Sequence, residues 1–409
     1  MKKLSVFIAL VWIAFISSYF TAAAQWGPPI PFPAADRDGA ASFTINGKGY
    51  VASGLFSNDT WEFNPAGEVW TQKANLNGNQ TIIFSASFSI NNKGYMVCGD
   101  SAFGSSINAV REYDPVADVW TPKANFPGGS RVGQAAWVAN GRVFVGGGAD
   151  YLNGSGVGPC HNDFYEYLPQ TDTWNSIGNL PVNIAFASCF VINDTCYFTM
   201  GNKSNAIYSN ELWAYNIVTN SWSQKANCTG APRSLGVGFS IDGKGYAGLG
   251  QSLFSNQYSD FYEYNPATNS WLAIDNYPNN LSSGSAAFVV NDTAFVGTGI
   301  HIVTFDGNLN LYRYPSNSAT TINKIGRAEN SVSIYPNPAI DVLNFSFSMP
   351  SSHNVSVKIY DISGRLMRTS IIPNQPVFQL DIGWLEPGIF LCELENGDQK
   401  QRVLFNKIN

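Results

Sequence analysis

Aromatic residues alternate with other residues in WEF (61–63), YEY (165–167), WAY (213–215), YEY (262–264) and YRY (312–314), the period of a strand with one buried face. Ahead of each such stretch, an Asn-Gly-like pair precedes an apolar segment that ends in glycine. It is seen in NGKGYVASG, NNKGYMVCG, NGRVFVGGG, NDTCYFTMG, DGKGYAGLG and NDTAFVGTG, six copies in all. These predict a tight hairpin turn between two strands. An aromatic residue also stands seven positions before a tryptophan five times: Phe63, Tyr113, Tyr167, Tyr215 and Tyr264 precede Trp70, Trp120, Trp174, Trp222 and Trp271. The intervening NPAGEV, DPVADV, LPQTDT, NIVTNS and NPATNS carry turn chemistry, so a second hairpin is expected there. The predicted unit is strand a, turn, strand b ending in glycine, variable loop, strand c with its aromatic, turn, and strand d with its tryptophan.

With Trp26 included, the tryptophans lie 44, 50, 54, 48 and 49 residues apart. That period matches one four-stranded propeller blade. The glycine, tyrosine and tryptophan order resembles kelch repeats over residues 25–315. The resemblance implies an all-β, six-bladed kelch-type β-propeller, although only Gly146-Gly147-Gly148 keeps the family's glycine pair. The sixth unit ends at Tyr314-Pro315 with no tryptophan at position 321. Because WGPPIPFPAADRDGAASF aligns with WTPKANFPGGSRVGQAAW, Trp26 and its neighbours are expected to supply strand d of the last blade. That arrangement would hide two exposed sheet edges.

The ends read differently. Residues 1–24 have two lysines, a long apolar run and Ala22-Ala23-Ala24, the pattern of a secretory signal peptide. The run approaches membrane-spanning length, but its flanks favour cleavage. Residues 316–330 contain no aromatic and read as a polar linker. Beyond them, alternating segments predict a small Ig-like β-sandwich over 331–409. There Tyr335-Pro336-Asn337-Pro338, KIYDISGRLM (358–367), Leu385, Gly388, Phe390 and a basic last strand resemble the type A C-terminal sorting domain of the type IX secretion system. The resemblance implies contact with that secretion machinery and an extracellular or outer-surface destination, while cleavage of the signal peptide would leave no permanent membrane span.

Aromatic residues make up 14% of the chain and charged residues 13%, enough apolar material for a large β core. The net charge of −6 argues against a nucleic-acid partner. Six cysteines are irregularly placed. Cys189 and Cys196 flank one hairpin, but a two-residue turn at Asn193-Asp194 sets Cys196 opposite Val191, which leaves a bridge and buried thiols both open.

Candidate chemistry is sparse. His161 and His301 fall in different repeats without a second ligand at useful spacing, so no metal site and no cofactor are predicted. The paired histidines and linked tyrosine of kelch-type copper radical oxidases are missing, and Asp59-Thr60-Trp61 and Asp172-Thr173-Trp174 lack the glycine of a sialidase Asp-box. Glu62, Glu112, Glu166 and Glu263 are conceivable acid/base groups, as in kelch-type sugar epimerases. Their recurrence at one repeat position favours a role on an exposed strand face. Eleven residues after each tryptophan stand Arg37, Thr81, Arg131, Ala185, Arg233 and Ser282. Arginine in alternate units, where strand d hands over to strand a, would ring one mouth of the central channel and suit an anionic ligand. The competing reading is that these arginines brace neighbouring loops. Strand alternation puts the variable b–c loops at that same end, the longest being residues 149–163. Tyr151 and Phe254 from such loops are expected to add stacking surface. The expected function is a protein- or glycan-binding module at or beyond the cell surface. The alternative is a carbohydrate-active propeller enzyme: a sugar epimerase, a lyase or an oxidase-like protein.

Overall fold

The computed structural model describes residues 26–314 and 332–407, apart from 77–79, 102–104, 154–155, 253–255, 280–282, 302–306, 308, 336–338, 348–354, 362–364, 373–376 and 397–398. The chain divides into two units, Met1–Ser318 and Ala319–Asn409. Both are all-β in their described residues. The expected signal segment 1–24 and linker 316–330 lie outside the described residues, as does Phe254. Among the described residues no helix is long and apolar enough to cross a membrane.

The first unit contains six four-stranded antiparallel sheets, one for each predicted repeat. In the first, Ala41–Ile45, Lys48–Ala52, Thr60–Asn64 and Val69–Lys73 follow one another as strands a to d. The a–b turns hold Asn46 and Gly47, Asn140 and Gly141, and Asp242 and Gly243 at positive φ, as a type I′ turn demands. The last sheet pairs Ala286–Val290, Thr293–Gly297 and Asn310–Tyr314, and its fourth strand is Pro29–Pro31 from the other end of the unit. Trp26 packs on Phe261, Tyr277 and Tyr314 at ring separations of 5.0, 5.2 and 5.1 Å, and its indole N–H donates to the Asp275 carbonyl. The expected N-terminal strand is therefore in place. The six a-strands touch in sequence order, and Ala41–Ile45 also meets Ala286–Val290.

The repeat's signature residues join adjacent sheets. Each a-strand has its first, third and fifth residues buried. The aromatic third residue reaches into the next sheet, where a Cβ on Gly49 would come within 2.0 Å of the Phe288 ring and one on Gly94 within 2.2 Å of Phe43. This close approach explains the Gly-Tyr dipeptide of strand b. The c–d hairpin forms a second link. The Tyr113 and Tyr167 hydroxyls donate to Asp118 and Asp172, and these carboxylates accept the Ala74 and Ala124 amides of the preceding sheet. The Trp174 and Trp271 indoles donate to the Ala124 and Ala226 carbonyls.

The second unit has a three-stranded sheet, Val332–Tyr335, Val342–Phe347 and Val377–Asp381. It also has a four-stranded sheet ordered Leu366–Ile372, Val355–Asp361, Gly388–Asn396 and Gln399–Lys407. Leu343 and Phe345 from the first share one apolar core with Val357, Ile359, Phe390 and Phe405 from the second.

Candidate functional site

The six d–a connections converge where the inner strands begin. At one equivalent position stand Gly39, Phe84, Gly133, Phe186, Leu235 and Gly284, all in the left-handed region with φ between 55° and 67°. Glycine occupies that region freely, whereas phenylalanine and leucine are costly there. A ring of backbone hydrogen bonds holds all six in place. Gly39 N–H donates to Gly284 O at 2.9 Å, Phe84 to Gly39, Gly133 to Phe84 and Phe186 to Gly133 at 2.8 Å each, and Leu235 to Phe186 and Gly284 to Leu235 at 3.1 Å. The Phe84 and Phe186 rings meet edge to face at 5.5 Å, which is possible because glycines stand beside them: a Cβ on Gly39 or Gly133 would strike the neighbouring ring at 2.6 or 2.5 Å.

A cavity of about 130 Å³ lies here, lined by these six residues and the residue after each, among them Ser85, Gln134 and Ser285. Phe84, Phe186, Ala187 and Leu235 are the larger apolar residues around it, while the Ser85 hydroxyl and the Gln134 amide are buried without partners and the Ser285 hydroxyl donates to the Thr298 carbonyl. Asp38, next to Gly39, has a buried and unpartnered Oδ1. Burial pushes its carboxyl up to about 7, opposed only by the Gly39 amide.

Arg37, Arg131 and Arg233 are 1%, 3% and 0% exposed, and each grips an aspartate of its own sheet with both terminal nitrogens. Arg37 holds Asp59 at 2.6 and 3.2 Å. The Nη2 atoms of Arg131 and Arg233 reach Asp163 and Asp260 at 2.8 and 2.9 Å, with a second contact from each Nη1. Each guanidinium also lies over an aromatic ring: Phe32 at 4.6 Å, Phe126 at 5.3 Å and Tyr258 at 3.8 Å. Asp59 and Asp260 sit below the ordinary carboxylate range. Burial raises them, but hydrogen bonds from arginine, joined by Ser57 and Trp61 at Asp59 and by Tyr262 at Asp260, outweigh it. This arrangement pins each d–a connection to the start of strand c, and an incoming anion would have to displace an aspartate from the fork. Tyr151 is 37% exposed and its ring lies against Gly158 within its own loop. Nothing described brings it together with the arginines.

The recurring glutamates are bracketed too. Glu62 accepts from Lys48 and Tyr50, Glu166 from Arg142, and Glu263 from Lys244 and Tyr246. With Glu263 5% exposed, the expectation of an exposed strand face is corrected to one of partly or wholly buried braces. His161 contacts Asp150 at 2.6 Å, and the described residues contain no group of three or more metal-ligating side chains. The six cysteines are free, and Cys196 faces Val191 as the turn dictates. Sequence reasoning passed over Asp38, Ser85 and Gln134. Their only signal was proximity to the left-handed position, which is glycine in three repeats and phenylalanine or leucine in the other three, and so shows no single residue type as a repeat position.

The model of the KLHDC2/KLHL20/DRC7 Kelch-repeats domain matches residues 86–299, just over half of the 409-residue chain. The chain belongs to the kelch-repeat family. A secretion system C-terminal sorting domain matches residues 333–406, so the second unit is a type IX sorting domain, which points to export and to the cell surface or extracellular space. N-acetylneuraminate epimerases of Escherichia coli O1:K1 and of Shigella flexneri are 29% and 28% identical over 149 residues, 36% of this chain and 40% of theirs. This chain thus spans well under half the length of these curated relatives. The solved structure entitled "Structure of YjhT" superimposes with a TM-score of 0.62 at 14% identity, covering 71% of this chain and 97% of that one, a likeness of fold.

Proposed function

We propose that residues 25–315 form an exported six-bladed propeller that acts as a binding module for a protein or glycan. In this reading residues 1–24 are a cleaved signal peptide, and residues 331–409 are an Ig-like sorting domain that engages the type IX machinery. The small size of the cavity ringed by the d–a connections supports binding over catalysis. A cavity of about 130 Å³ is smaller than the roughly 300–1,000 Å³ clefts that enclose small-molecule substrates. It suits the tip of a larger ligand held by the surrounding loops, with Tyr151 and Phe254 as stacking surface. Arg37, Arg131 and Arg233 then shape the mouth as braces, the alternative to anion binding that their spacing already allowed. The second reading, a carbohydrate-active enzyme, is favoured by the partial likeness to N-acetylneuraminate epimerases and by Asp38, a carboxyl raised towards neutrality beside the mouth. A glycan and protein array probed with the chain decides between them. Retained complexes without turnover support the module; sugar conversion without a lasting complex supports the enzyme.

A further inference from the structure

Residues 53–59 form the b–c loop of the first sheet, and hydrogen bonds fix it to its surroundings. Gly54 N–H donates to Ile82 O at 3.0 Å and Leu55 N–H to Asp38 O at 2.9 Å, which ties the loop to two d–a connections. The Ser57 hydroxyl and the Arg37 fork both reach Asp59 at its end. Inside the loop, Ser57 N–H donates to Gly54 O at 3.1 Å and closes a turn whose third residue, Phe56, has φ 62°. That is the type II turn position that favours glycine, so a phenylalanine there is strained, a condition that clusters at binding sites. Little of the cost is recovered by burial: at 73% exposure, Phe56 is the most exposed large apolar side chain described in the b–c loops. The neighbouring sixth-sheet loop continues the apolar surface with Leu309, 43% exposed. The Leu309 carbonyl accepts the Phe32 amide, and Gly307 N–H donates to Asp36 Oδ2 at 2.9 Å, so this loop lies against the same 32–40 connection that Phe56's loop meets through Asp38. Pro33, Ala35 and Asp36 of that connection are exposed, and Asp36 meets no lysine or arginine among the described residues. The described cations of these loops and connections are already engaged, since Arg37, Arg131, Arg233 and Lys203 each pair with a carboxylate.

We infer that this patch docks a polypeptide segment in which a lysine or arginine stands beside apolar side chains, with Phe56 as its anchor and Asp36 as the partner of its cation. An aromatic ring presented on a rigid loop binds without the cost of ordering that loop, and such rings dominate the energy of protein interfaces. The negative charge left over at Asp36 selects a basic partner. A sugar would find few donors or acceptors for its hydroxyls among Pro33, Ala35, Phe56 and Leu309. The inference rests on the binding-module reading and narrows its ligand to a protein.

The test pans a displayed library of short random peptides on the immobilised full chain and counter-selects on a Phe56→Gly variant. Peptides enriched on the wild-type chain are expected to combine lysine or arginine with apolar residues. Synthesised and titrated by fluorescence anisotropy, the tightest of them should bind Phe56→Gly about thirtyfold more weakly, the loss typical of a truncated anchor. Glycine suits a φ of 62°, so the same variant should keep or raise the melting temperature, a split that a scaffold role for the ring would not produce. Asp36→Asn, which retains an acceptor for the Gly307 amide, should weaken binding severalfold and flatten its decline with added salt. The inference is overturned if no peptide is enriched over the variant, if the enriched peptides lack either the cation or the apolar residues, or if Phe56→Gly melts lower than the wild type. Glycan binding on the array that falls with Phe56→Gly would overturn it as well, by showing that the patch takes sugar. All these outcomes leave the binding-module reading in place, whereas sugar turnover with no retained complex on the array would remove that reading itself.

Discussion

Burial decides what the charged residues of the propeller unit do. Arg233 is fully buried, so removing its aspartate strands a guanidinium away from water. Asp260→Ala is expected to cost about 3 kcal/mol in urea denaturation, less any relief from the partial exposure of Asp260. Arg233→Met combined with Asp260→Ala should recover much of that loss, because the unpaired charge is gone. A result in which the double variant is no better than the single one would remove ion pairing as the cause. Asp59 and Asp260, held low when folded, add stability that is fully present above the unfolded carboxyl value of about 4 and drains away as pH falls through the folded one. Asp38 works in the opposite direction. Its folded value of about 7 exceeds the unfolded one, so the folded chain holds an extra proton between about pH 4 and 7, and stability declines as pH rises through that window. Asp38→Asn should flatten this decline and raise the melting temperature at pH 8. If the wild-type and variant profiles run parallel from pH 4 to 8, Asp38 is not the titrating group.

At the level of elements, the strands and turns were legible in the sequence because each has a local cause. Alternation gives the strands, Asn-Gly pairs give the type I′ turns, and the tyrosine-to-tryptophan spacing fixes the c–d hairpin. Even the distant pairing of Pro29–Pro31 with Asn310–Tyr314 could be read, since a missing tryptophan at one end matched a surplus one at the other. The mouth was not legible. Its hydrogen-bonded ring is made of backbone groups, its key position tolerates Gly, Phe or Leu, and the partners of Arg37, Arg131 and Arg233 lie 22 to 32 residues away across variable loops. The closing strand can be tested directly. Ile30 and Phe32 are buried and Trp26 is half-buried among three aromatic rings. Trp26→Ala should therefore cost about 2–3 kcal/mol, somewhat below the range for a fully buried aromatic. Because the strand spans both ends of the unit, the loss should appear as a shift of a single cooperative transition. A separate early transition confined to the last sheet would show that the strand merely decorates it.

For the whole molecule, two cores raise the question of what each does without the other. The core of the sorting domain, including Leu343, Phe345, Val357, Ile359 and Phe390, is drawn wholly from the second unit, and each core of the propeller unit is drawn wholly from the first. Units that bury their own apolar surface fold as independent domains. Deleting residues 331–409 should therefore leave the melting transition of the propeller within about 2 °C of its value in the full chain, since a change of 1 kcal/mol in a domain larger than about 200 residues moves Tm by only about 2–4 °C. Export should respond differently. The second unit matches a secretion system sorting domain, so the truncated chain should accumulate in the periplasm while the full chain reaches the surface or the medium. Fractionation with protease accessibility of intact cells reads the location, and calorimetry of the purified proteins reads the fold. A truncated chain that is folded yet still surface-exposed would deny the sorting role. One that is retained but unfolded would instead show that the propeller depends on its partner domain, and the retention would then be a failure of folding.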